Sequence, residues 1–288
     1  MGGQLAIDAV LAGAHYGLIA LSFAFVSRTA RFFHVAHGVV YALAAYVTFS
    51  LVGDGVGIGL AALGGIVAAA VAGGAMDISV FRPLRLHGAS PEIQLLASFG
   101  ILIAVQNIVP MIWGDARLVL WNRIAEPGFL MFDGRITGLQ LTSFAISVAA
   151  ATGLIWWSRN SFAGLTLRAV GDNPKLSEAH GIRPQLAIFG AFIVASAVMG
   201  LAGILEAADT GLIPLMGFRA LLVAFTGALL GGLQSDIRAF LGGVAIGFFE
   251  QIGAQYLPGQ WYESAILALL VAVLLLRRHH LVGDGAVS

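Results

Sequence analysis

Long apolar runs follow one another along almost the whole chain, separated by short polar gaps. Nine can be traced, at roughly 5–26, 35–52, 56–80, 93–113, 138–157, 185–208, 217–233, 239–257 and 261–276. Crossing the hydrocarbon as a helix takes about 20 such residues, and most of the runs come close to that. The seventh and ninth are shorter, as tilted, broken or partly inserted helices would be. The runs are continuous rather than alternating, which argues against an outer-membrane barrel. Backbone groups in lipid must bond within their own segment. The pattern therefore predicts an all-α, polytopic bundle of about eight or nine transmembrane helices, at least one of them broken. The first run lacks a basic leader and is too long for a typical signal-peptide core, so it is read as structure.

Composition narrows the partners. The chain of 288 residues is 59% hydrophobic and only 10% charged, against roughly 25% charged in an ordinary soluble domain. Net charge is zero, so nothing points to nucleic acid. Cysteine is absent, which removes disulfides and thiolate metal sites. The 38 glycines suit helices that approach closely in a membrane. No linker or second soluble domain is visible, so residues 1–288 read as one transmembrane domain.

Basic residues orient it. With the N-terminus outside and nine crossings, the inner side receives Arg28, Arg31, Arg82, Arg85, Arg159, Arg168, Lys175, Arg183, Arg238, Arg277 and Arg278. The outer side receives only Arg117, Arg123, Arg135 and Arg219, so the C-terminus is expected to be cytoplasmic. The 114–137 segment becomes an outer loop edged by Trp113. The 158–184 segment becomes the longest inner loop. Within it Asn173 is a good N-cap, Pro174 suits the first helical position and Gly181 suits a left-handed stop. These signals predict a helix from Pro174 to His180, too short to be stable without something to lie against.

Ionisable groups in lipid are costly and face a bundle interior, a partner or water. Asp8, His15, His37, Asp77, Glu206 and Glu250 fall within or beside the runs. Asp8, Asp77 and Glu206 stand near span ends, where reaching the headgroups is the simpler reading. Glu250 lies deeper, beside Gln251. Ala36-His37-Gly38 reads as a helix break lining a cavity, with Tyr41 one turn on, so His37, Gly38 and Tyr41 are placed beside a substrate path. Gln106, Asn107 and Glu250 are further candidates for that path. His34 and His37 lie one turn apart, but with no third ligand near them no metal site is assigned, and no cofactor is implied.

Several local motifs together are more specific. Arg168-Ala169, Asp172, Glu178-Ala179 and Gly181-Ile182 resemble the cytoplasmic coupling loop of ABC importer permeases, in particular the branched-chain amino-acid permease family. Val35-Ala36-His37-Gly38 is similar to that family's Asn-Phe-Ala-His-Gly segment, with His34 and Val35 where the family has Asn-Phe. Phe81-Arg82-Pro83-Leu84-Arg85, Ser161-Phe162-Ala163-Gly164 and Gly227–Leu233 resemble further family segments, all in family order. The resemblance implies a permease subunit of an ATP-driven importer in a bacterial inner membrane. It implies a second permease, two cytoplasmic ATPases and a substrate-binding protein outside. It also implies that Arg168, Asp172, Leu176, Glu178, Ala179 and Gly181 couple to the ATPases, and that the substrates are branched-chain or related amino acids. Urea, short amides and aromatic acids stay open as alternatives within the same architecture.

Absences bound the rest. Lys175 is the only lysine and stands in no P-loop, so by that machinery ATP would be hydrolysed on separate chains. No His-Glu-x-x-His or Gly-x-Ser-x-Gly is present. A self-sufficient secondary transporter or channel would need coupling carboxylates near the midplane, for which Glu250 is the one good candidate. The orientation is directly testable because the chain has no native thiol. Cysteines introduced at Ser161 and Ser288 should resist a membrane-impermeant thiol reagent in intact cells; labelling of both would reverse the topology.

Overall fold

The computed structural model describes residues 2–120, 128–131, 134–256, 268–269 and 271–272. Among the described residues six helices are long and apolar enough to cross a membrane. They are α1 (Gly2–Ala30), α3 (Ile58–Met76), α5 (Pro91–Trp113), α6 (Gly138–Asn160), α9 (Pro184–Thr210) and α11 (Asp236–Tyr256). α3 runs on through a π-helical turn, Asp77–Phe81, into α4 (Arg82–Leu86). Pro83 lies just beyond that turn, and its ring would clash with the carbonyl four residues back in a regular helix. Two apolar helices are shorter, α2 (His37–Gly53) and α10 (Met216–Gly231). The expected ninth span, 261–276, falls almost wholly outside the described residues.

The 158–184 segment is more helical than expected. α7 (Phe162–Asp172) precedes the anticipated helix, which is α8 (Pro174–Ala179). The α7 repeat buries Gly164, Leu167 and Val170 on one face, and Ser161 caps it by accepting from the Gly164 amide. At the opposite end of the bundle the 114–137 segment holds a small antiparallel hairpin, β1 (Phe129–Met131) with β2 (Gly134–Ile136). Apolar periodicity carried no sign of it. Residues 121–127 of this segment lie outside the described residues. Trp113, at the edge of this segment, donates its indole N–H to Ser50 at 2.9 Å.

α1 and α9 form the centre. In their most apolar stretches 72% and 61% of residues are buried, against 17% in α5 and α6, which face outward. The two central helices are antiparallel: His15 meets Glu206, and Ser22 donates to the Ala195 carbonyl. Around them the chain repeats itself. α1, α2 and α3 recur as α9, α10 and α11, each a long helix, a re-entrant segment, a short helix and a long helix. α1 lies along α11 as α9 lies along α3, and α2 packs on α9 as α10 packs on α1. Since α1 opposes α9 in direction, the repeat is inverted.

Small residues set the spacing. On α1 Gly13 and Gly17, and on α11 Gly243 and Gly247, stand four apart and face each other with no room for a side chain between the backbones. A close approach also joins the two short helices: a Cβ on Gly38 would strike the carbonyl of Gly217, and a Cβ on Gly217 that of Gly38. α2 starts well inside the bundle. His37 bonds Ser22, eight residues before the end of α1, which is about 12 Å of helix. The break therefore covers Arg31 to Ala36 rather than Ala36-His37-Gly38, and His37 and Gly38 already belong to the first turn of α2. Several of its amides are satisfied locally, His34 by the Ser27 hydroxyl, Val35 by the Phe33 carbonyl and Ala36 by Ser98.

Two buried ion pairs fasten the end that carries α7 and α8. Arg28 meets Asp236 at 2.9 Å, and Ser158 donates to the same carboxylate at 2.7 Å, joining α1, α11 and α6. Asp77 is fully buried and held by Arg85 at 2.6 Å, with Arg85 also donating to Gln185 on α9. The headgroup reading of Asp77 is thus corrected: π-turn and α4 bring a guanidinium back over it.

Two outcomes follow. Gly38→Leu should abolish recovery of monodisperse protein, since the crossing with Gly217 has no space; normal yield and thermal stability in detergent would refute the crossing. Arg28→Ala strands a buried carboxylate and should cost about 3–5 kcal/mol, whereas Arg28→Met with Asp236→Leu should cost far less. Thermal unfolding of the two proteins in one detergent makes the comparison.

Candidate functional site

At the hairpin end α10 does not reach the level of its neighbours. Its start at Met216 and the incoming 211–215 segment leave a cavity of about 650 Å³ between α1, α6, α9, α10 and α11. Arg117, Asp209 and Thr210 on its rim are exposed, so it opens at that end. The inverted position, where α2 starts short of the α7 and α8 end, is filled instead. Phe32, His34, Phe81 and Phe192 pack there with ring centroids 4.8–5.6 Å apart along the contacts His34–Phe192, Phe32–Phe81, His34–Phe81 and Phe81–Phe192. One end of the inverted repeat is open, and the other is plugged.

The cavity is polar in an organised way. His15 on α1 stands with its Nε2 3.2 Å from the Tyr41 hydroxyl and 3.5 Å from the Glu206 carboxylate. Thr210 donates to Glu206 at 3.3 Å, and Asp209, Arg117 and Arg219 stand near enough to act on its charge. Tyr16 hydrogen-bonds Glu250, and Gln4 donates to Asp8 at 2.8 Å behind the rim. Ile19, Leu205, Met216 and Val223, all buried, supply an apolar wall. On α6, Gln140, Ser143 and Ser147 fall at i, i+3 and i+7 and line the cavity along one face. The hydroxyls of Ser143 and Ser147 have no hydrogen-bond partner, and Ser147 is 1% exposed. Leaving such a group unsatisfied costs about 1–3 kcal/mol.

Of the residues expected beside a substrate path, Tyr41 and Glu250 line this cavity. His37 does not: it is fully buried beneath, with Nε2 2.8 Å from Ser22. Because Ser22 spends its one proton on Ala195, His37 must donate from Nε2, which assigns its tautomer. Gly38 sits in the crossing with Gly217. Gln106 and Asn107 lie on peripheral α5, away from the cavity, with Asn107 exposed and donating to its own helix at Ile103. The sequence reading missed Ser143 and Ser147. Their signal was a helical polar spacing inside an otherwise apolar run, too common in serines to single out without the cavity.

The coupling candidates gather at the opposite end. Asn173 accepts from the Leu176 amide at 3.0 Å, and Gly181 has φ +82°. Leu176, Glu178 and Ala179 are exposed, and only Ser177 of α8 is buried. Arg168 reaches the Arg159 carbonyl, and the Asp172 carbonyl accepts from Arg31 at 3.2 Å, tying α7 to the end of α1. Phe162 and Leu165 extend the exposed surface along α7.

Comparison with known proteins agrees with this architecture. Residues 5–275 match the family described as branched-chain amino acid transport system / permease component. The high-affinity branched-chain amino acid transport system permease protein LivH of Escherichia coli is 28% identical over 99% of this chain and 96% of its own. BraD, a permease protein of the same description from Pseudomonas aeruginosa, is 28% identical over 99% of this chain and 97% of its own. Among solved structures, PsaBC from Streptococcus pneumoniae in complex with Fab covers 94% of this chain and 90% of that chain at 12% identity, with a TM-score of 0.48, too loose a likeness to argue from. A family match over nearly the whole chain, together with an inverted bundle of apolar helices, establishes that the protein is a membrane permease belonging to the branched-chain amino acid transport system permease family.

Proposed function

We propose that this chain is one of two permeases in an ATP-driven importer of branched-chain or related amino acids, working in a bacterial inner membrane. The second permease is a different homologous chain. Two cytoplasmic ATPases dock on the end that carries α7 and α8, and a binding protein delivers substrate at the hairpin end. The basic residues support this orientation, since most of them collect on the α7 and α8 side. Amino acids are the reading favoured by the names of the relatives LivH and BraD.

The carrying observation is the opposed state of the two ends. A cavity opens where α10 starts short, and an aromatic plug closes the equivalent place beside α2. An inverted repeat with one end open and one closed is what alternating access between two sides requires. Tyr41 and Glu250 belong to the open part of the path. His37 and Gly38 sit at the crossing beneath it, where the two short helices must move past each other. Movement would be imposed from α8. That helix is capped by Asn173 and stopped by Gly181, its Leu176, Glu178 and Ala179 face solvent, and the neighbouring α7 is tied to α1 through Arg31. Arg168 and Asp172 belong to the same α7 element, and ATP hydrolysis belongs to the separate chains.

Charge reversal at an exposed helix leaves the fold intact but spoils docking. Glu178→Arg should lower co-purification of the ATPases and cut ATP-driven uptake in reconstituted vesicles by about tenfold, the effect of losing about 1.4 kcal/mol of association. Gly181→Val should act likewise, because a branched side chain at positive φ unseats the end of α8. ATPase binding and uptake at wild-type levels in both variants would leave α8 a plain connector.

A further inference from the structure

The cavity at the hairpin end has more specific chemistry than a passage needs. Two hydroxyls one turn apart on α6, Ser143 and Ser147, face it without a hydrogen-bond partner. Elsewhere on the same buried face of α6, Ser158 is bonded to Asp236. The helix therefore satisfies its serine where protein faces it and leaves two unmet where the cavity does. Buried hydroxyls in this state mark a place for something that enters and leaves. The α9 side offers the opposite chemistry, with the carboxylates of Glu206 and Asp209 and, through His15, the Tyr41 hydroxyl. Ile19, Leu205, Met216 and Val223 add an aliphatic wall.

These three features restrict the ligand. A simple cation would meet the carboxylates and leave the serine donors idle. An anion could use Arg117 and Arg219 but would be repelled by Glu206 and Asp209 and leave them without a partner on the ligand. A sugar would find an apolar wall with nothing to cover it. A small zwitterion with an aliphatic side chain uses all of them.

Resting on the importer reading, we propose that this cavity is a binding subsite for a free aliphatic α-amino acid, in which Ser143 and Ser147 donate to the carboxylate and Glu206 and Asp209 accept from the ammonium. Arg117 and Arg219 at the mouth offset the acidic pair and keep the site from becoming a general cation trap. The side chain lies against Ile19, Leu205, Met216 and Val223. Substrate released at the hairpin end is thus held by the permease itself before the plug beside α2 opens.

The absence of native cysteine gives a direct test. Ser147→Cys is prepared in the assembled importer in vesicles, with the wild-type assembly as background for thiols on other chains. The rate of modification by a small thiol reagent added at the hairpin side is followed with L-leucine as the probe. The variant should react, and leucine at about ten times its Kd should slow the reaction about tenfold. The analogue without an ammonium, 4-methylpentanoate, and the one without a carboxylate, 3-methylbutylamine, should leave the rate unchanged. Glu206→Gln in the same background should remove the leucine protection. Ser143→Cys repeats the measurement should Ser147→Cys fail to assemble. Absence of reaction at both positions, no protection by leucine, or equal protection by all three compounds would overturn the subsite. ATP-driven leucine uptake by the wild-type assembly is scored separately. Uptake without protection sinks the subsite and spares the importer reading, and protection without uptake does the reverse.

Discussion

The fold depends on a backbone crossing with no side chains in it. Gly38 and Gly217 bring the first turns of α2 and α10 into direct contact inside the bundle. In a membrane there is no water to drive helices together, so contact must come from packing and hydrogen bonds. Short helices that begin at depth are the most demanding case, because their leading segments expose amides where nothing else can satisfy them. Here Ser27 and Ser98 supply part of what the Arg31–Ala36 segment needs, and the chain's own carbonyls supply more. The rest of the architecture holds these two helices in place: α1 and α9 as central posts, and α11 and α3 packed along them.

Starting a helix inside the bundle leaves space behind it, and the molecule uses the two spaces differently. Above α10 the walls carry His15, Glu206, Asp209 and the α6 serines, and the space is kept open. Below α2 the corresponding space is packed with Phe32, His34, Phe81 and Phe192. One inverted design therefore yields a polar vestibule and an apolar plug, and the difference lies in side chains rather than in backbone topology. The buried pairs Arg28–Asp236 and Asp77–Arg85 lie on the plugged side. They fasten α1 to α11 and α4 to α9 at the end where α7 is tied to α1 through Arg31.

Apolar run length and basic-residue bias made the membrane class, the helical architecture and the short helix after Asn173 legible, because each is a local property. A run of about 20 apolar residues is a helix wherever its neighbours stand. An N-cap, a proline and a glycine fix α8 without help from the rest of the chain. The same local reasoning misplaced Asp77, since nothing in sequence spacing says that Arg85 folds back over it through a π-helical turn. It expected Gln106 and Asn107 beside a substrate path, whereas they lie on α5 away from the cavity, because amides in an apolar run look alike whether they face a cavity or a helix's own carbonyls.

What the sequence determined alone is therefore the solvent, the helical segments and the chemistry available: carboxylates and histidines within spans, no thiols, no nucleotide-binding loop. Only the tertiary structure decided which of these meet. The inverted repeat has its halves about 180 residues apart in the chain and is invisible to periodicity, which samples one or two turns. The joining of His15 to Tyr41 and Glu206, and the isolation of Ser143 and Ser147 opposite them, depend on α1, α2, α6 and α9 converging at one end. The physical reason is that a span's identity is set by its transfer to lipid, whereas a site is set by which faces of separate spans are turned toward a shared cavity.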